Sequence, residues 1–164
     1  MKKIYKGNIL FTPLPDRFEI LKGGHIVVNE QGKIEGVFAF LPEQYPNASI
    51  VDYGNKLLIP GMYDLHVHAS QYRNQGMAMD LELLSWLQTY TFPEEANYAD
   101  THYARVAYQH FVDDLRRQGT VRAAVFATIH PEATKILARL FHEAGMGAKI
   151  GLVGMNEVGL NANW

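Results

Sequence analysis

The sequence predicts an α/β protein in which a small β-sandwich layer precedes buried parallel strands joined by helices. Residues 1–58 alternate short apolar runs with turn residues, and the texture changes at Leu57. From there, strand-like and helix-like segments follow in the order β-α-β-α-β, with an extra helix in the first crossover. Buried parallel strands connected by helices are typical of layered and barrel α/β folds. We therefore expect two segments, a β-sandwich segment at 1–58 and an α/β segment at 59–164.

Composition limits the classes of function. The chain has 164 residues, a net charge of -2 and no block of Lys or Arg, so it lacks the basic signature of nucleic-acid or anionic-membrane binding. It contains no cysteine, so any metal site must use His, Asp, Glu or water. No leader-like apolar stretch follows Met1-Lys2-Lys3, and no run approaches the ~18 apolar residues of a membrane span. We expect a soluble, cytoplasmic protein.

Three apolar runs separated by turn residues predict the strands of the first segment: 3–12, 25–40 and 47–53. Pro13 and Pro15 break the first run. The middle run is interrupted by Glu30-Gln31-Gly32, which predicts a hairpin because glycine accepts a positive φ in the loop. Gly54-Asn55 is the turn signal after the last run.

Alternating strand and helix patterns predict the second segment. Strands are expected at 58–68, 120–129 and 148–154, and the third helix at 131–144. Asp80 is expected to cap the first helix, which Pro93 would end. The second helix is expected to begin near Asp100 or Thr101 and to end before Gly119.

His66-Val67-His68 is the main chemical signal. Residues i and i+2 of a strand project to one face, about 6.6 Å apart, so two imidazoles there can meet one zinc ion at ~2.0–2.1 Å. Two ligands are not a complete site, because a catalytic zinc normally has three protein ligands and a water. Two hydrogen-bonded structural histidines are the ordinary explanation of an isolated His-x-His. Pro60-Gly61 and Asp64, in front of the pair, favour the metal.

The motif Pro60-Gly61-x-x-Asp64-x-His66-x-His68 resembles the first-strand signature of the amidohydrolase superfamily. Further stretches are similar to the guanine deaminases, a family within that superfamily. They are His68–Tyr72, Asp80–Leu87, Tyr90–Glu95, Phe126–His130 and Gly151–Asn156. The resemblance covers residues from about 3 to 156 and is weakest in the first segment.

This resemblance implies a metal-dependent hydrolase fold, a (β/α)₈ TIM barrel with a β-sandwich built from both chain ends. It implies that His66 and His68 bind one zinc ion together with two later histidines and an aspartate. Water activated by the metal would convert guanine to xanthine and ammonia. Relatives in this family are commonly homodimers. Imidazole also binds iron, nickel and copper, so the metal stays open at this point.

Two residues are candidates for contacting the purine. Gln71 matches the glutamine that hydrogen-bonds the purine in the family, and an amide offers both a donor and an acceptor. The ordinary explanation is a solvent-facing loop glutamine. Trp86 could line the pocket and stack on the base, although a Trp on an apolar helix face more often packs in a core.

Other polar residues are expected to have ordinary roles. We expect His130 to be structural, and Asp64 to hold the strand end by hydrogen bonds, with a metal contact also open. Glu94 and Glu95 are expected on a solvated helix edge. Surface or core roles suffice for the remaining histidines, which are His25, His102, His110 and His142.

The chain ends at Trp164, just past the third expected barrel strand, whereas a closed barrel typically needs ~250 residues. No catalytic proton-transfer residue is expected within this chain, and the 164 residues alone are expected to be inactive. Two alternatives stay open. One is another amidohydrolase acting on a different purine, a pyrimidine or a cyclic amide. The other is a non-catalytic remnant or binding module.

Overall fold

A computed structural model describes residues 1–46 and 48–154. These residues divide into two compact units, unit 1 up to Pro60 and unit 2 from Gly61 onward. Asn47, where a predicted strand begins, lies outside the described residues, as do Met155 and Asn156 of the last motif. Within the described ranges, no helix is both long enough and apolar enough to cross a membrane.

Unit 1 is a four-stranded mixed sheet with the order β3-β2-β1-β4. Its strands are β1 (Lys3–Leu14), β2 (Arg17–Val28), β3 (Ile34–Phe38) and β4 (Ser49–Leu58). The first three strands pair antiparallel, whereas β4 pairs parallel with β1. The predicted hairpin turn joins β2 to β3, with Gly32 at φ 77°. Asn29 Oδ1 accepts hydrogen bonds from the N–H groups of Gln31 and Lys33, which closes this turn.

Gly54 lies inside β4, where the sequence predicted a turn. The pairing of β1 with β4 shifts from Lys6↔Asp52 to Asn8↔Leu57, so β4 bulges outward between these pairs. Gly54 has φ 60°, and its N–H donates to Asp52 Oδ1 at 2.7 Å. A glycine in this conformation absorbs the extra residues of a bulge without ending the strand, so the turn signal was misread.

Unit 2 contains a parallel sheet with the order β5-β6-β7, built from β5 (Met62–His68), β6 (Thr120–Phe126) and β7 (Gly147–Gly151). The α-helices are α1 (Leu83–Trp86), α2 (Phe92–Ala96), α3 (Thr101–Arg117) and α4 (Pro131–Glu143). Short 3₁₀ turns cover Ala69–Asn74 and Asn97–Ala99. This alternation of parallel strands and helices confirms the predicted α/β class.

The ends of α3 agree with the sequence signals. Asp100 Oδ1 accepts hydrogen bonds from the N–H groups of His102 at 2.8 Å and Tyr103 at 3.4 Å, which satisfies donors that have no partner inside the helix. Gly119 follows the helix with φ 89° and turns the chain into β6.

The segment before α3 differs from the prediction at both ends. Asp80 caps no helix, because the chain turns through Gly76 at φ 77° and Ala78 at φ 49° and α1 begins only at Leu83. Pro93 does not end the helical run either. A π turn over Leu87–Thr91 precedes it, and this wider turn relieves the crowding that proline causes in an α-helix.

The core of unit 2 lies between the sheet and the long helices. Its fully buried large side chains come mainly from α3 and α4 and include Tyr108, Val112, Leu137 and Phe141. Ala123 and Val125 of β6 face this cluster. Strand residues outside it stay exposed, Leu65 at 79% for example. Strand β7, which the sequence predicted to be buried, is also mostly exposed, because most of its residues lie outside this core cluster.

Gly61→Ala is expected to destabilise unit 2. A Cβ at this position would lie 2.3 Å and 2.7 Å from the two γ-methyl carbons of Val121, well inside van der Waals contact. Such overpacking costs about 1–3 kcal/mol. Urea denaturation should show this loss for Gly61→Ala but not for Gly151→Ala, where a Cβ meets nothing within 4 Å. Equal stability of the two variants would contradict the prediction.

Candidate functional site

His66 and His68 converge at the C-terminal end of β5. Their ring centroids are 5.2 Å apart, so the two side chains lie on the same side of the strand. Phe126 ends the neighbouring strand and pairs with His68 in the parallel register. Its ring lies 4.8 Å from the His66 ring and 4.7 Å from the His68 ring, nearly parallel to the latter. The three rings form one group, in which we call His66 and His68 the histidine pair.

A backbone irregularity positions this pair. The register passes from Asp64↔Ala123 to Val67↔Val125, so β5 carries one residue more than β6 over this stretch. The Asp64 carboxylate accepts a hydrogen bond from the His66 N–H at 3.0 Å, which gives this N–H a partner within the irregular stretch. The expected hydrogen-bonding role of Asp64 at the strand end is therefore present.

The electrostatic environment favours an uncharged imidazole at His68. Partial burial lowers the pKa of His68, and repulsion from His66 lowers that pKa further. A neutral imidazole keeps a nitrogen lone pair available for a metal ion.

The separation of the rings fits a shared zinc ion. With Zn–N bonds of ~2.0–2.1 Å, a ring radius of about 1 Å and tetrahedral angles, two bound imidazoles have centroids roughly 5 Å apart. The observed 5.2 Å between His66 and His68 matches this value. Among residues 1–46 and 48–154, no group of three or more His, Cys, Asp or Glu side chains is arranged to hold a metal. The histidine pair is therefore the candidate donor set that the described residues bring together.

Gln71 lies in the 3₁₀ turn that directly follows β5, and it is partly buried. Its neighbours anchor this turn. The Tyr72 hydroxyl donates a hydrogen bond to the Asp114 carboxylate on α3, and the Arg73 guanidinium lies 4.8 Å from the ring centroid of Tyr103. The turn thus holds Gln71 three residues beyond His68, although its contact with a purine stays a prediction.

Trp86 is partly buried at the end of α1. Its indole N–H donates to the Met77 carbonyl oxygen at 2.9 Å. It lines an open apolar hollow with Ala78, Met79, Leu81 and Leu83. These contacts account for its position, and its role in stacking on a base stays a prediction.

Glu94 and Glu95 do not form a solvated helix edge, so that expectation was wrong. Glu95 is only 4% exposed, and Glu94 is partly buried and accepts a hydrogen bond from the Tyr103 hydroxyl at 2.6 Å. Glu95 lies one helical turn from two further buried residues, Thr91 and Tyr98. That spacing was a sequence signal for a buried face, but the proline beside it suggested that the helix had ended.

The structural role expected for His130 stays a prediction, because its imidazole Nε2 is buried without a hydrogen-bond partner among the described residues. His130 precedes α4, and its backbone carbonyl oxygen accepts hydrogen bonds from the Thr134 N–H and the Thr134 hydroxyl, each at 3.1 Å. Phe126, by contrast, was missed as part of the site, because its contact with the histidines depends on the strand register.

The chain is similar to a known protein family and to curated members of it. The amidohydrolase family model matches residues 57–157. The curated guanine deaminase of Dictyostelium discoideum is 36% identical over 94% of this chain and 38% of its own length. The guanine deaminase of Escherichia coli is 37% identical over 80% of this chain and 30% of its own length. The resemblance seen in the sequence is confirmed.

A solved structure is also similar. The crystal structure of guanine deaminase from C. acetobutylicum with bound guanine in the active site matches with a TM-score of 0.90 and 47% identity. The match covers 95% of this chain and 37% of that one, so the chain spans less than two fifths of the length of these relatives. From the family match and the strand-end histidines together, we conclude that this chain belongs to the amidohydrolase family.

Proposed function

We propose that this chain supplies two metal ligands, His66 and His68, to a guanine deaminase that converts guanine to xanthine and ammonia. The observation that carries the proposal is the convergence of the two imidazoles, 5.2 Å apart, at the C-terminal end of a parallel strand. Active sites of (β/α)₈ barrels are built at this end of the strands. The similarity to guanine deaminases, one of them with bound guanine, supports the choice of substrate.

The fold belongs to the same proposal. Residues 59–164 would form the first part of a (β/α)₈ barrel, with β5, β6 and β7 as its first three strands. Residues 1–58 would form part of a β-sandwich. The parallel order and the helices on the buried side of the sheet support the barrel.

Each described side chain has a distinct task in this site. His66 and His68 would hold the zinc ion, and Phe126 would keep both rings in place and exclude water from their apolar side. Gln71 would orient the purine through its amide, and Trp86 would line the pocket. When bound, zinc supplies an activated water and stabilises negative charge on the reacting group. The remaining ligands and the proton-transfer group, implied by the resemblance, lie outside these residues.

Zinc is preferred over iron on the strength of the resemblance, and the homodimer and the cytoplasmic location stay predictions.

The direct test is a zinc-loaded assay of the protein that carries this sequence, at the length its gene encodes. We expect guanine to be deaminated, with ammonia and xanthine formed in equal amounts, and the 164-residue chain alone to be inactive. Turnover of adenine, a pyrimidine or a cyclic amide instead of guanine would favour the alternative amidohydrolase. A zinc-loaded protein that binds purines without turnover would favour a binding module.

Gln71→Leu is expected to lower kcat/KM for guanine by about 10- to 100-fold, because it leaves polar groups of the buried base without a partner. The matched control is Gln75→Leu, an exposed glutamine just after the same turn, which should stay near wild type. Steady-state kinetics of both variants measure the effect. If both variants behave alike, Gln71 does not contact the substrate.

A further inference from the structure

The 3₁₀ turn Ala69–Asn74 begins directly after His68 and carries Gln71. His68 is the N-cap residue of this turn, but its side chain makes no capping hydrogen bond. Hydrogen bonds inside a 3₁₀ helix have poorer geometry than those of an α-helix, so a short turn depends on outside contacts for its orientation. Because only two residues separate Gln71 from His68, this orientation decides where the Gln71 side chain lies relative to the histidine pair.

Tyr72 makes the first outside contact of the turn. Its hydroxyl donates a hydrogen bond to the Asp114 carboxylate near the C-terminal end of α3. The other oxygen of this carboxylate accepts a hydrogen bond from the Arg117 guanidinium at 2.9 Å, so the acceptor is itself oriented. The Tyr72 ring meets the buried Phe111 ring edge to face, with 5.8 Å between the centroids. Tyr72 thus contacts α3 with both its polar and its apolar part.

Arg73 makes the second outside contact. Its guanidinium lies 4.8 Å from the ring centroid of Tyr103, in the first turn of α3. The Tyr103 hydroxyl donates to the Glu94 carboxylate at 2.6 Å. The Tyr103 ring also meets the buried Tyr98 ring edge to face, with 5.4 Å between the centroids. The ring that the guanidinium contacts is therefore fixed on two sides.

The two contacts lie far apart on one helix. Tyr103 and Asp114 are separated by eleven residue steps of α3, which corresponds to about 16 Å at ~1.5 Å per residue. Tyr72 and Arg73 are adjacent in the chain, so their side chains must reach towards opposite ends of the helix. A turn attached at one point can still rotate about that point, whereas attachment at two separated points fixes its direction.

We propose that Tyr72 and Arg73 are positioning residues, which attach the turn to α3 at two points and thereby direct the Gln71 amide toward the substrate. The hydrogen bond from Tyr72 to Asp114 is the stronger attachment, because its acceptor is charged, whereas a cation–π contact of an exposed arginine is weak. The importance of this attachment for catalysis rests on the proposed function, but the attachment itself does not.

The kinetic test is a double-mutant cycle in the zinc-loaded protein at the length its gene encodes, with guanine as the substrate. Tyr72→Phe removes only the hydroxyl, and kcat/KM should fall about 5- to 10-fold, because a misdirected amide orients the substrate less well. In the Gln71→Leu background, the same substitution should change kcat/KM by less than about twofold, because no amide is left to direct. A merely structural role would give an equal loss in both backgrounds, and that result would overturn the proposal.

Variants of the acceptor and of a distant tyrosine serve as controls. Asp114→Asn keeps an acceptor for the Tyr72 hydroxyl and should stay within about threefold of wild type, whereas Asp114→Ala should match Tyr72→Phe and add nothing to it. Tyr53→Phe makes the same change at an exposed tyrosine of β4, whose ring stacks on Tyr5, and should stay near wild type. Additive losses from Tyr72→Phe and Asp114→Ala would count against the attachment.

A readout without turnover separates this proposal from the proposed function. Hydrogen exchange of the segment 69–75, followed by mass spectrometry on the same zinc-loaded protein, should be at least about threefold faster in Tyr72→Phe, while α4 keeps its exchange rate. If wild type does not deaminate guanine but this exchange still accelerates, the proposed function fails and the attachment stands. Unchanged exchange of the segment 69–75 in Tyr72→Phe would refute the attachment, whatever the turnover.

Discussion

Zinc-dependent turnover is expected to fall by about 10³-fold or more when either His66 or His68 is replaced by alanine. Each substitution removes one of the two imidazoles that converge at the end of β5. A metal ion contributes several kcal/mol of transition-state stabilisation, and each 1.4 kcal/mol corresponds to about a tenfold change in rate. The measurements are guanine turnover and bound zinc per protein, made on the same preparations.

The control for this prediction uses histidines from the same unit. His102 and His110 are exposed on α3, so their replacement by alanine should leave both zinc content and turnover near wild type. Wild-type zinc content and rate in either strand variant would rule out the pair as metal ligands. The effect should also exceed that of Gln71→Leu, because the glutamine orients the substrate without supplying the reactive group.

The second large effect concerns stability rather than activity. The pKa of Glu95 is raised by burial from 4.5 to about 7 in the folded protein, so the folded state holds its proton at pH values where the unfolded chain has released it. Stability from this group is therefore fully present below about pH 4.5 and falls as pH rises through about 7. Glu95→Gln stays neutral throughout and lacks this dependence.

Urea denaturation at pH 5 and pH 8.5, followed by tryptophan fluorescence, measures this difference, since Trp86 lies in unit 2. Relative to wild type, Glu95→Gln should gain roughly 2–3 kcal/mol between the two pH values. Glu94→Gln should show no comparable gain. A constant difference between wild type and Glu95→Gln at both pH values would contradict the prediction.

Features that depend on a few neighbouring residues could be predicted from the sequence. The same-side placement of His66 and His68 follows from the period of a β-strand, and the cap at Asp100 follows from a side chain that reaches donors two and three residues ahead. The order of parallel strands and helices follows from the alternation of apolar patterns. None of these requires knowledge of distant contacts.

Features that depend on register or on backbone exceptions could not be predicted. Phe126 reaches the histidines only because it pairs with His68, a residue 58 positions earlier, and apolar patterns do not specify that pairing. The π turn before Pro93 carries the helix past a residue that normally stops it, and this places Glu95 inside unit 2. Proline usually ends a helix, but the π turn lets the helical backbone continue past Pro93.

The parallel pairing of β1 with β4 has a kinetic consequence. Ile4 of β1 pairs with Ile50 of β4, so two residues that are 46 positions apart in the sequence must meet. By contrast, β1 and β2 are joined by a tight turn in which Leu14 pairs with Arg17. Chain closure costs more entropy for a longer loop, and distant pairings form more slowly than hairpins. On refolding, the hairpin of β1 and β2 should therefore assemble first and present a template edge, on which β4 docks in a later, slower phase.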